Sequence, residues 1–429
     1  QGNGWFWGDH CYNVKSNYTS SAFRSYDVWY ANYKWIANVN YIIDAEPEMA
    51  GTEADVAYVA GQAYAIRALC YLNLATWFSR APYNSLTGAS RWNEPCVPVY
   101  TTGTSIDTGG QPRESLRTVY GRIDQDIDRA IELLEKARET TLAENNKSHI
   151  NLYVALGIKS RACLAEGDWD GAFKAAKRVI DEGGYAVGTK SDLTGGMNSL
   201  DKQNVMWGAG IQVADQAGGY AGFFTHMDNK EGAYAKSAPK LISKQLYNRI
   251  SATDIRRDWW DPSDKESPYV SKKFSFANVA SFLGDYIYMR VEEMYFTAAE
   301  AALRLDDLKS ARELMNTVMA ERDPGYSANN RSGTLLGATT TTWTGSFLEN
   351  ILTHRRIELW GEYGRLFDVR RLGQGIDRRT DDGFSEECIS MMNRRNVNIT
   401  KADTYDWVLT IPKAELDANP NINEEDQNP

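Results

Sequence analysis

The chain is poor in the residues that build metal and redox centres. Its four histidines (His10, His149, His226 and His354) lie far apart with no HxxxH pair, which argues against a histidine metal site. Its five cysteines (Cys11, Cys70, Cys96, Cys163 and Cys388) never form a CxxC, so neither a zinc site nor a disulfide framework is expected. Cys70 and Cys163 fall on apolar helix faces, where a buried free thiol is the simplest reading. Basic charge is also in deficit. Lys and Arg number 47 against 57 Asp and Glu, for a net charge of −10, which argues against a nucleic-acid groove and against a polybasic membrane patch. No apolar run reaches the roughly 18 residues that a membrane-spanning helix needs. Position 1 is Gln with no charged-then-apolar opening after it, so the chain is expected to be a mature or truncated product. No GxSxG, P-loop or HExxH occurs.

What the chain does have is rings. Trp, Tyr and Phe make up 12% of it, a supply of flat, polar-tipped side chains suited to sugar or peptide recognition as well as to a large core.

Helical periodicity is plain in several segments. In "YDVWYANYKWIANVNYII", Trp29, Tyr33, Ile36 and Asn40 form one stripe. "ADVAYVAGQAYAIRALCYLNLATWF" continues the pattern, and "SLRTVYGRIDQDIDRAIELLEKA" aligns Val119, Ile123, Ile127, Ala130 and Leu134. Two later segments resemble each other: an apolar helix, a short acidic turn ("EGDWDGA", "LDDLKSA"), then a second helix with an early alanine, Ala172 or Ala311. This is the logic of tetratricopeptide repeats, in which small residues let paired helices approach. The expected fold is therefore mainly α: a tetratricopeptide-like helical repeat scaffold with long irregular loops and a few short strands. The repeats are placed at about 27–80, 114–183, 289–324 and 346–372 of a single domain spanning 1–429. A loop-rich insertion at about 184–288 is expected to carry the ligand site, and 373–429 reads as irregular. Strands are expected at "NVMWGAGIQVA" and "DWVLTI", and a polar loop over 325–345.

From about Trp29 onward the sequence resembles the SusD/RagB family, the surface lipoprotein partners of TonB-dependent transporters in Bacteroidetes-type bacteria. The stripe of Trp29, Tyr33, Ile36 and Asn40 is followed by "AIRALCYLNLATWFSRAPY", similar to the family's Leu-Arg-Ala helix, and by "VYGRIDQDIDRAIELL". "MRVEEMYFTAAEAALRL" matches an Arg-x-x-Glu…Ala-Glu helix at Arg290, Glu293, Ala299 and Glu300. "HRRIELWGEYGRLFDVRRLG" is similar to the family's Glu-Arg-Arg-x-Glu-Leu segment, with His354 where Glu is usual, and the tail "IPKAELDANPNINEEDQNP" matches its Ile-Pro…Gln-Asn-Pro ending. The resemblance implies a SusD-like α superhelix that binds oligosaccharides and delivers them to a SusC-like transporter in the outer membrane. Peptide import, as in RagB-like relatives, is the alternative. It also implies surface exposure and an N-terminal lipid anchor on several dozen residues that precede the matched region in the family and are missing here.

An enzyme is not expected. Glu293, Glu300, Glu358 and Glu362 could be taken for a glycosidase acid/base pair, but Arg290, Arg355, Arg356 and Arg365 accompany them at helical spacings, which reads as ion pairing between helices. Asp254 with Arg256 or Arg257 resembles a structural pair of the family. The opening "GNGWFWGDHC" has neither helical nor strand periodicity, and the repeats already supply a core, so Trp5, Trp7, Asp9 and His10 are expected to form one wall of the ligand site. Tyr220, Phe224 and His226 in "GGYAGFFTHMDN", and Trp260 and Tyr269 in "DIRRDWWDPSDKESPY", are further candidates. No cofactor is expected. "DNKEG" and "DPSDKE" offer only a weak case for calcium, since neither has EF-hand spacing.

Overall fold

The computed structural model describes residues 23–140, 142, 146–213, 222–376, 404–405 and 408–429. Nine longer helices carry it: α1 (Phe23–Ala45), α2 (Glu53–Phe78), α3 (Leu116–Lys136), α4 (Leu152–Glu166), α5 (Trp169–Glu182), α6 (Val291–Arg304), α7 (Leu308–Ala320), α8 (Phe347–Glu358) and α9 (Arg365–Leu372). Four short strands, β1 (Val205–Ala209), β2 (Trp260–Asp261), β3 (Val270–Ser271) and β4 (Tyr286–Arg290), form two antiparallel pairs, β1 with β4 and β2 with β3.

Short polar residues start the helices. Thr52, Ser115, Asp168, Asp307 and Ser346 each accept a hydrogen bond from the backbone N–H three residues on, taking up a donor that the first turn leaves unpaired. The two acidic turns are built alike. Gly167 ends α4 at φ 76° and Asp168 caps α5; Asp306 ends α6 at φ 62° and Asp307 caps α7. The left-handed position tolerates Asp as well as Gly, so the two turns need not share a residue. Ala172 and Ala311 are fully buried, where the paired helices close on each other. Gly61 has the same function between α2 and α3, because a Cβ there would come within 2.9 Å of Leu134 Cγ.

The Trp29–Tyr33–Ile36–Asn40 stripe faces inward, with Trp29 and Ile36 in the main core. Asn40 donates to the carbonyls of Tyr100 and Thr102 and accepts from Arg67, whose other nitrogens hold Asp126 at 2.6 and 2.7 Å. The C-terminus closes the end of α2: the Asn428 side chain donates to the carbonyls of Phe78 and Leu409, satisfying an acceptor that the helix end would leave open.

Two expectations need correcting. The described residues of "DWVLTI", Val408–Ile411, are not a strand: the Leu409 N–H bonds the Trp77 carbonyl and the Ile411 N–H bonds Gln427 Oε1, so a helix end and a side chain take the groups a neighbouring strand would have used. Within 184–288, several aromatics are not open loop residues. They build a second core in which Phe224, Trp259, Trp260, Phe274 and Phe276 pack with Ile242, Leu246 and Ile357. Ring-rich loops of this length bury their rings against each other when the helices leave them a face to cover.

Candidate functional site

The four carboxylates weighed above as an acid/base pair, Glu293, Glu300, Glu358 and Glu362, are all committed to the scaffold. Glu293 takes Arg161 Nε and Nη2 at 2.8 and 2.7 Å, and Glu300 takes Arg371 at 2.9 and 2.7 Å. Glu358 accepts from Arg322, Arg290 and Arg256, and Glu362 from Arg290 and Lys273. Burial alone would raise the pKa of Glu358, but the guanidiniums of Arg322, Arg290 and Arg256 outweigh it and hold the carboxyl well below the usual range. No pair among them faces a shared open pocket with a free acid and a free base, which is the arrangement glycoside hydrolysis requires. His354 belongs to the same cluster. Its Nδ1 lies 2.8 Å from Arg256 Nη2, and burial, with Arg256 and Arg331 nearby, pushes its pKa well down, so the neutral ring accepts from the guanidinium.

An open site lies where α1, α2, β1 and β4 meet the segment after α8. It is a cavity of about 760 Å³. At its mouth stand exposed Trp35 and Tyr288, 53% and 40% accessible, with the exposed amide of Asn38. Tyr286 and Trp207 continue the wall, and the Trp207 ring meets Tyr288 edge-on at 5.0 Å. The β1–β4 pairing produces that contact. Trp207 pairs with Met289 and Gly208 with Ile287, with a register shift between them. Gly208 permits the approach, since a Cβ there would fall 2.3 Å from the Tyr286 carbonyl oxygen. The floor is buried Val39, Cys70 and Phe274 with half-buried Ile66, Leu69 and Ile287. Burial pushes the Cys70 thiol up to about 12, so it serves there as an apolar group. Such a site offers flat rings for the C–H face of a sugar or for an apolar side chain, with amides and phenols at the rim.

The residues singled out in the sequence fall elsewhere. Trp5, Trp7, Asp9, His10 and Tyr220 lie outside the described residues. Phe224 and Trp260 are 2% and 1% exposed inside the second core, so neither presents a face to a ligand. Tyr269 packs edge-on against Tyr247 beside that core, and His226 stacks on Tyr234 at 4.6 Å. None of these four lines the cavity, although Phe223, the neighbour of Phe224, does. The acidic loops proposed for calcium use their carboxylates locally: Asp228 accepts from the N–H groups of Lys230, Glu231 and Phe276, and Asp264 from those of Glu266 and Ser267. Among the described residues no group of three or more His, Cys, Asp or Glu is placed to hold a metal. Trp35 and Trp207 were missed. The first left a signal, because it falls off the buried stripe of its own helix.

Two family models match the chain, one described as the SusD family over residues 230–429 and one described as starch-binding associating with outer membrane over residues 5–164. Among solved structures, the chain is similar to a SusD-like carbohydrate binding protein from Bacteroides vulgatus ATCC 8482, with 24% identity, a TM-score of 0.74, and 99% of this chain and 92% of that one covered. It is also similar to a SusD superfamily protein from Bacteroides thetaiotaomicron VPI-5482, with 22% identity, a TM-score of 0.72, and 94% and 85% covered. A surface glycan-binding protein A from Bacteroides uniformis aligns with 18% identity, a TM-score of 0.63, and 94% and 84% covered. At these identities the structural likeness establishes a shared fold. No curated protein matches the chain. Among the described residues no helix is long and apolar enough to cross a membrane.

Proposed function

The chain belongs to the SusD/RagB family, and from that premise we propose that it captures a glycan at the outer surface of the outer membrane and passes it to a partner TonB-dependent transporter. The observation that carries this reading is the ring-lined cavity of about 760 Å³, whose mouth pairs Trp35, Trp207 and Tyr288 with the Asn38 amide. Stacking on rings while hydroxyls bond at a polar rim is how a protein holds a sugar without reacting with it. The buried carboxylates support binding without turnover, since each already neutralises an arginine or lysine. In this reading a lipid anchor holds the protein at the surface, the transporter docks on the helical scaffold, and neither cofactor nor metal takes part.

The test is calorimetric titration of the protein with a panel of soluble oligosaccharides and, separately, with a mixed oligopeptide pool, followed by analysis of the recovered sugar. Saturable binding of a glycan that returns unhydrolysed supports the proposal. Binding of peptides alone replaces it with a peptide-import role on the same scaffold, and new reducing ends would make the protein a hydrolase.

A further inference from the structure

The groups around the cavity are unevenly distributed. Among the described residues two charged side chains reach its wall, and each has its charge already paired within the protein. Arg161 is paired with Glu293, donates to the Tyr288 carbonyl and lies 3.9 Å from the centre of the Tyr363 ring. Glu362 accepts from Arg290 at 2.8 Å through each oxygen and from Lys273 at 2.5 Å. A charged ligand would have to enter with its own charge unpaired, which is costly in a ring-lined, partly dry space. Polar groups sit at the mouth, where Asn38 and Tyr288 are exposed, whereas Val39, Ile66, Leu69, Cys70, Ile287 and Phe274 offer no hydrogen-bonding side-chain atom beyond one inert thiol. The polar exceptions away from the mouth are the Asn73 amide, which donates to Asn32, and the phenols of Tyr286 and Tyr363. A bare sugar pressed against that floor would leave hydroxyls without partners, each at a cost of about 1–3 kcal/mol. An apolar group placed there would gain instead, on the order of 1.5–3 kcal/mol for one the size of a Leu or Phe side chain.

We propose that the cavity selects an uncharged glycan bearing an apolar substituent, an aryl or acyl group that fills the floor while the sugar stacks at the mouth on Trp35 and Tyr288. This rests on the reading of the cavity as the glycan site.

The experiment uses Nile red, an uncharged apolar dye, as the probe of the floor, and three sets of oligosaccharide competitors: neutral methyl glycosides, neutral p-nitrophenyl glycosides of the same sugars, and their anionic uronate analogues. The expected result is saturable, blue-shifted dye fluorescence displaced about tenfold more effectively by the aryl than by the methyl glycosides, and least by the uronates. Leu69→Asn should lower dye affinity and abolish the aryl preference while leaving the circular dichroism spectrum unchanged, and Ile66→Thr provides the same readout if that variant folds poorly. Equal displacement by methyl and aryl glycosides, or the tightest binding by uronates, overturns the proposal and leaves glycan capture standing. Dye binding that no glycoside displaces overturns glycan capture and the proposal with it. Dye that does not bind saturably removes the apolar floor itself.

Discussion

Arg322 grips Glu358 through two parallel hydrogen bonds, Nε to Oε2 at 2.9 Å and Nη2 to Oε1 at 3.0 Å, with both side chains fully buried. The pair ties the end of α7 to α8, and Arg290 and Arg256 close on the same carboxylate from β4 and from the insertion. Four elements distant in sequence therefore share one charge. Removing it leaves three buried guanidiniums short of a counter-charge, with Glu292 remaining to Arg322, Glu292 and Glu362 to Arg290, and Asp254 to Arg256. Glu358→Gln, nearly isosteric, is expected to destabilise the protein by about 3–5 kcal/mol, the scale for breaking a buried ion pair by deleting one partner. Urea unfolding followed by circular dichroism measures it, and a loss under 1 kcal/mol would mean that the cluster is hydrated rather than buried.

Two tryptophans separate stability from binding. Trp260→Ala empties a ring-sized hole in the second core and should cost about 3–5 kcal/mol of stability. Trp35→Ala, at an exposed position, should leave the melting temperature nearly unchanged while weakening glycan binding by about 1–3 kcal/mol, the scale of an interface hot spot. Calorimetric titration beside differential scanning fluorimetry tests both. If Trp35→Ala binds as the parent does, the cavity mouth is not the sugar platform.

His354 makes acid stability predictable. Its pKa in the folded protein is held well below 6.5, by burial first and then by Arg256 and Arg331, with Glu358 opposing. The unfolded chain therefore binds a proton at pH values where the native ring does not. This contribution to stability is complete above about pH 6.5 and is lost as the pH falls below it. His354→Gln should give a shallower fall in unfolding free energy between about pH 6.5 and 5, read from urea midpoints across that range. His226, also lowered, by burial and by Lys240, acts in the same direction, while Asp124, raised by burial to about 6, opposes it. An unchanged slope in the variant would show that the ring is protonated in the native state.

Glu166 works the other way. Burial, reinforced by Asp124 and Asp168, raises its pKa to about 8, and its Oε1 has no hydrogen-bond partner among the described residues. The native state holds this proton more tightly than the unfolded chain does, so the contribution is fully present in acid, below about pH 4.5, and is lost as the pH rises through 8. Glu166→Gln is expected to match the parent near pH 4.5 and to melt at a higher temperature at pH 8–9. Melting curves at both pH values check it, and a variant less stable at pH 9 would mean that the carboxylate has a partner.

Which parts of this were legible follows from the range of the forces involved. The repeats could be read because a helix records its buried face locally, at spacings of three and four, and because Gly167-Asp168 and Asp306-Asp307 each end one helix and begin the next within two residues. The ion pairs were legible in kind, since arginines and glutamates at helical spacings in a sequence of this hydrophobicity must meet in the interior; which arginine met which glutamate was not. The cavity left little trace. Its walls come from Trp35, Trp207, Tyr288 and Tyr363, more than 300 positions from first to last, and a ring outside the helical repeats leaves no local mark of whether it closes a core, as Trp260 does, or lines an opening, as Trp207 does. The sequence by itself determined the helical scaffold, its turns and its charge-paired interior, because those are settled by neighbours along the chain and by the cost of burying charge. Only the tertiary structure decided which rings stayed open, because exposure depends on what packs above a residue, and that is set by segments far away in the chain.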